Sequence, residues 1–201
     1  PGPMVTRIFL VRALFCVMMA GYISTISLFM IDLFQFTERT LGLFMLVVGV
    51  FLSFNQAFVS KWFIKRFGEI VTMRLGLGLC AIGLFAITLT DNLWLYIPYY
   101  YVLNLGLSLS IPTFNALIAQ HGDPQAMGET MGINSALISL SNSAIPILAA
   151  SLYGVIAEQF YQLLAILPIL ALMMARTLRE GPNCHTPVSY PLPDECETPI
   201  V

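Results

Sequence analysis

Long apolar stretches alternate with short polar breaks along the chain. Six runs carry no charge: Ala13 to Ile31, Thr40 to Ser60, Leu75 to Thr90, Asn92 to Gln120, Thr130 to Ala157 and Gln159 to Ala175. A central Asp, Lys or Arg costs roughly 2.5 to 3.5 kcal/mol on insertion scales, so such runs mark bilayer spans, for which about 20 residues suffice. The shorter runs gain length from flanks such as Arg12, Arg74 and Arg176, whose apolar stems let the charge snorkel. The pattern predicts an all-α integral membrane protein, a six-transmembrane-helix bundle with helices near 8–34, 40–64, 70–90, 93–119, 127–157 and 159–178. Ten-residue alternation is missing, so a membrane β-barrel is excluded and helices satisfy the backbone.

The breaks carry turn chemistry: Asp32 to Arg39, Lys65 to Glu69 around Gly68, Asp91-Asn92, Gln120 to Met127 with Gly122 and Pro124, and a bend near Glu158. Of the nine basic residues, Arg39 falls on one side and the other eight on the opposite side (Arg7, Arg12, Lys61, Lys65, Arg66, Arg74, Arg176 and Arg179). The positive-inside bias makes that crowded side cytoplasmic. Both termini then lie in the cytoplasm, as an even number of spans requires, and the expected location is a plasma or inner membrane. After Arg179, Pro182, Pro187, Pro191, Pro193 and Pro199 punctuate residues 179–201, which read as a disordered cytoplasmic tail.

Composition narrows the function classes. The 201 residues are 58% hydrophobic and 10% charged with net charge −2, and the mean hydropathy is +0.83. A chain without basic excess does not suit nucleic acid. Two histidines and four cysteines, with Cys184, His185 and Cys196 in the tail and no paired CxxC, imply neither a metal site nor a disulfide framework. No cofactor is implied. Asp and Glu fall at helix ends and His121 at another end, which argues against a membrane enzyme, because that would need titratable groups converging at depth. No proton relay is evident at mid-membrane: a proton-titrating group would lie on polypeptide outside this sequence or be Asp32, near the outer interface. The opening Pro1-Gly2-Pro3-Met4 lacks the zones of a signal peptide, which leaves a fragment and a start at Met4 both open.

Polar residues within the spans sort the helices. Positions 0, 4, 7 and 11 share a helical face, at about 100° per residue. On the fifth helix Gly128, Gly132, Ser135, Ser139, Asn142 and Pro146 form such a stripe, and on the second Gly49, Ser53, Gln56 and Ser60 do. The first shares Gly21, Thr25, Leu28 and Asp32 on one face, and the fourth Asn104, Ser108 and Asn115. The third and sixth have no Asn or Gln at that depth. Four helices around a wet cavity with two outside would give this division. It predicts a solute pathway through Thr25, Gln56, Asn104, Ser108, Ser139 and Asn142, with Tyr22 and Asn55 beside it. Packing seams of small residues are the competing explanation for any single stripe. Gly76, Gly78 and Gly83 read as close helix packing. Pro98, Pro112, Pro146 and Pro168 interrupt their helices, and Tyr99, Tyr100 and Tyr101 read as an interfacial aromatic belt.

The run Lys61-Trp62-Phe63-Ile64-Lys65-Arg66-Phe67-Gly68-Glu69 resembles the GxLaDRfGrR loop of major facilitator transporters in the form found in their C-terminal half. Arg66, Phe67 and Gly68 match, while Lys61, Lys65 and Glu69 stand where Gly, Asp and Arg would be. The stretch from Asn115 to Gly154 is similar to the tenth and eleventh helices of tetracycline-efflux-like drug:proton antiporters. Where those often read GPxxGG, this chain has Ile145, Pro146, Ala149 and Ala150. The resemblance covers about residues 8 to 178. It implies one half of a twelve-helix fold with 3+3 inverted repeats, partnered by a missing N-terminal six-helix half. It further implies Lys65, Arg66 and Gly68 as a gating loop, helix packing at Gly128, Gly132, Pro146, Ala149 and Ala150, and a small-molecule substrate exchanged for protons across the lipid bilayer. An intact six-helix protein with a structural or assembly role stays open beside it.

Overall fold

The computed structural model describes residues 3–90, 92–122, 126–157 and 159–176. The expectations for the tail from 179, with Cys184, His185 and Cys196, and for Asp91, Pro124 and Glu158 lie outside the described residues. Those residues form α1 (Pro3–Phe34), α2 (Glu38–Phe67), α3 (Glu69–Ala86), α4 (Leu93–His121), α5 (Met127–Ile156) and α6 (Gln159–Ala175), with no strand among them. Five are long and apolar enough to cross a membrane, and α6 has 17 residues.

Local chemistry sets the boundaries. Thr37 Oγ1 accepts from the Thr40 N–H at 3.3 Å and starts α2. Asn92 Oδ1 accepts from the Trp94 N–H at 3.0 Å and starts α4. Each satisfies one orphan donor of a first turn. Gly68 separates α2 from α3 with φ 79, in the left-handed region that favours glycine, and its N–H closes α2 on the Ile64 carbonyl at 2.9 Å.

Packing follows an inverted repeat. α3 lies along α4 as α6 lies along α1; α1 packs on α5 as α4 packs on α2; α3 and α6 meet each other. Exchanging the first three helices for the last three leaves this pattern unchanged. Because α1 and α4 run in opposite directions, the two triplets are inverted relative to one another. α1 and α4 are the most buried, contributing Phe15, Met18, Phe29, Met30, Tyr96, Leu103 and Phe114 to the core. α3 is half buried between α4 and α6, while α2 and α5 turn most of their surface outward.

Glycines divide accordingly. A Cβ on Gly106 would stand 2.7 Å from both the Cys80 nitrogen and the Gly76 carbonyl, and one on Gly83 would stand 2.7 Å from the Leu103 Cα. These glycines let α3 and α4 touch backbone to backbone. Gly78, read as a packing residue, meets nothing within 4 Å, because it sits off the Gly76–Gly83 face.

Candidate functional site

The second helix departs from α-geometry where its polar residues lie. Asn55–Val59 is a π-turn, closed by the Ser60 N–H on the Asn55 carbonyl. In a regular α-helix, residues five apart diverge by about 140°. The wider turn swings Ser60 back over Asn55, so both are buried against α4, whereas Ser53 and Gly49 stay exposed. Gln56 is half buried. The common phase expected of Ser53 and Ser60 is therefore broken by one extra residue in the turn.

Ser60 has a defined task. Pro112 has no N–H to give the Ser108 carbonyl four residues earlier, and Ser60 Oγ donates to that carbonyl at 2.6 Å. Ser108 Oγ turns back on its own helix, donating to the Leu105 carbonyl at 2.8 Å. Ser60→Ala should leave a buried acceptor unpaired and cost about 1–3 kcal/mol. Ser53→Ala, at an exposed site bonded within its own helix, should be neutral. Thermal melts of the two variants check this, and equal melting temperatures would refute the splint.

The remaining candidates separate into three environments. Tyr22 on α1 faces Tyr100 on α4, with ring centroids 6.4 Å apart. Tyr100 stacks on Tyr96 at 5.6 Å and meets Phe44 of α2 at 5.4 Å. Asn104, one turn along, donates from Nδ2 to the Tyr100 carbonyl at 2.8 Å. The Tyr96 hydroxyl and Asn55 Nδ2 are buried without a partner among the described residues, and the Tyr22 hydroxyl, which makes no close hydrogen bond there, has the Tyr100 and Asn104 side chains as polar neighbours. Tyr100 is thus interior, in contrast to the aromatic-belt expectation, which Tyr101 fits better with its 41% exposure. The spacing of Tyr96, Tyr100 and Asn104, four apart on one face, was the signal for this cluster.

Thr25 belongs elsewhere. Its hydroxyl donates to the Gly21 carbonyl at 2.9 Å and shares a hydrogen bond with the Tyr161 hydroxyl of α6 at 3.0 Å. Nearby, Tyr153 of α5 donates to Asp32 Oδ2 at 2.9 Å. This joins α1, α5 and α6 at the end remote from the basic loop.

Ser139 and Asn142 are exposed on α5, as are Gly128, Gly132 and Ala150. Gly128 and Gly132 meet nothing within 4 Å. Ala149 is buried and Pro146 half buried. An apolar groove of about 310 Å³ opens between α1, α5 and α6, lined by Gly21, Ile145, Ala149, Leu152, Phe160 and Leu164 among others. None of the polar pathway candidates lines it.

At the basic end Lys65 and Arg66 are exposed in the last turn of α2, where positive charge suits the helix C-terminus. Gln120 Nε2 donates to Glu69 Oε1 at 2.7 Å and ties the start of α3 to the end of α4. Arg74 Nε donates to the Ala175 carbonyl at 3.1 Å. Arg12, expected to snorkel, is instead 4% exposed, because Asn115 and Phe114 of α4 close over it. Among the described residues no group of three or more His, Cys, Asp or Glu could hold a metal ion.

The family model of the Major Facilitator Superfamily matches residues 2–146. The chain belongs to this superfamily. It is 27% identical over 151 residues to the class C tetracycline resistance protein of Escherichia coli, covering 75% of this chain and 38% of that protein. It is 25% identical over 150 residues to the mouse hippocampus abundant transcript 1 protein, covering 75% of this chain and 30% of that one. The human organic anion transporter MFSD10 (TETRAN) has the same fold, with a TM-score of 0.80 at 21% identity over 87% of this chain and 42% of that one. This major facilitator chain therefore spans less than half the length of these relatives.

Proposed function

We propose that the chain is the C-terminal six-helix half of a secondary active transporter, exporting a small amphipathic, drug-like solute in exchange for protons by alternating access. The observation that carries this reading is the open polar face of α5. Ser135, Ser139 and Asn142 are exposed there on a helix of membrane length. Pro146 also withholds the N–H that the Asn142 carbonyl would otherwise receive. Hydrocarbon leaves such groups unsatisfied, whereas a second six-helix half with water and solute between the halves supplies their partners.

The relatives' names, which speak of tetracycline resistance and organic anion transport, are consistent with an organic solute. Asp32, bonded to Tyr153, is the candidate proton carrier, and Lys65, Arg66 and Gly68 form the gate. In this reading the basic end faces the cytoplasm and the protein resides in a plasma or inner membrane.

The test uses tetracycline as probe on the whole protein. Gln56→Ala and Asn142→Ala are expected to weaken binding about tenfold, roughly 1.4 kcal/mol, with unchanged melting temperature. Intact affinity with a lowered melting temperature would make these residues interhelical glue and sink the pathway. For orientation, single cysteines at Asn92 and Gln159 in a cysteine-free background should react with an impermeant reagent added outside intact cells, and one at Lys65 should not. The reverse pattern would overturn the topology.

A further inference from the structure

We propose that Arg12 is a carboxylate-receiving site at the basic end of the bundle. Arg12 lies nine residues inside α1 and is 4% exposed. Its guanidinium lies beside a touching pair of rings, 5.8 Å from the Phe15 centroid and 5.2 Å from that of Phe114, the two centroids being 5.2 Å apart. Among the described residues it makes one polar contact, from Nη2 to Asn115 Oδ1 at 3.4 Å, the long limit of a hydrogen bond. Nε and Nη1 are buried and have no partner among the described residues.

A guanidinium carries five N–H groups and cannot shed its charge. Enclosing it without an anion is costly, and an ionisable group held inside a membrane bundle calls for a named partner. The free donors define that partner. Whichever hydrogen Nη2 gives to Asn115, its other hydrogen shares an edge with Nε or with Nη1, and both of these are free. A complete two-donor edge is left, which matches the two oxygens of a carboxylate. Flanking phenyl rings suit an anion carried on an apolar or aromatic body. Cys16, one turn along α1, is a buried free thiol and the nearest titratable neighbour of Arg12 among the described residues.

The carboxylate comes either from a solute or from an acidic side chain of polypeptide packed on this end. The proposal adds a ligand chemistry to the transport reading and rests on that reading for the solute source alone. Its test measures binding and melting, not flux, so failure of one is distinguishable from failure of the other.

The experiment compares 2-naphthoate with the neutral 2-naphthamide on the whole protein in detergent, for wild type, Arg12→Gln and Arg12→Lys. If a solute supplies the carboxylate, naphthoate raises the melting temperature and the amide does not. Arg12→Gln then weakens naphthoate at least tenfold, and Arg12→Lys, which keeps the charge without the two-donor edge, also weakens it. If a side chain supplies it, neither probe acts, and wild type melts above Arg12→Gln at pH 7. That gap holds down to about pH 4 and closes below it, because a paired carboxylate stabilises fully above its unfolded pKa, about 4, and loses the effect as pH falls through its lowered folded-state value. Cation–π contacts with Phe15 and Phe114 alone would leave the gap independent of pH. Probe-independent melting together with either a pH-independent gap or no gap overturns the proposal.

Discussion

Gly106→Ala is expected to lower stability by about 1–3 kcal/mol, although it adds a single methyl group. The new Cβ would meet a backbone nitrogen and a backbone carbonyl of α3, both at 2.7 Å. Backbone cannot rotate away as a side chain can, so α3 and α4 must separate. That contact is the most extensive in the bundle, and without a hydrophobic drive between helices in lipid, close van der Waals packing is what holds the pair. Gly132→Ala, where nothing lies within 4 Å, should leave the melting temperature of these six helices unchanged. A thermal melt followed by size-exclusion chromatography separates the two, and equal behaviour would mean that α3 and α4 are not held by this approach. Reduced solute binding by Gly132→Ala at unchanged stability of the bundle would place a partner surface over α5.

These two glycines also mark how far the sequence could be read. Charge-free runs identified the helices because a bilayer penalises charge whatever the neighbours are. The azimuth of each helix was another matter. Gly128 and Gly132 repeat at helical spacing and read as packing residues, yet within the described residues they face open space. Gly106, in no stripe, is the close contact of α4. Small size permits approach, but what approaches is set by the partner helix. Phase arguments failed for a local reason at Ser53 and Ser60, where the π-turn at Asn55–Val59 rotates the second half of α2. No residue type announces such a turn. Arg12 misled in a third way. Distance along α1 put it near an interface, where a long cation normally finds water, and only the position of Phe114 and Asn115 on another helix reveals its burial.

The aromatic cluster yields the sharper functional prediction, because stability and binding should move in different directions. Tyr22→Phe removes a buried hydroxyl that makes no close hydrogen bond among the described residues, with the Tyr100 and Asn104 side chains as its polar neighbours. Losing an unsatisfied polar group is neutral to stabilising, by up to about 1–3 kcal/mol. If the pathway runs past Tyr22, Tyr100 and Asn104, that hydroxyl is held in reserve for the solute, and tetracycline binding to the whole protein should weaken about tenfold, roughly 1.4 kcal/mol. Tyr161→Phe supplies the contrast. It removes the partner of the Thr25 hydroxyl at 3.0 Å, and because Thr25 keeps its bond to the Gly21 carbonyl, the expected loss is about 0.5–1.5 kcal/mol of stability with binding untouched. Two phenol-to-phenyl changes on neighbouring helices thus predict opposite profiles from the state of one oxygen. Equal loss of stability in both would show that the Tyr22 hydroxyl has a structural partner. Unchanged tetracycline affinity in Tyr22→Phe would take the solute path away from α1.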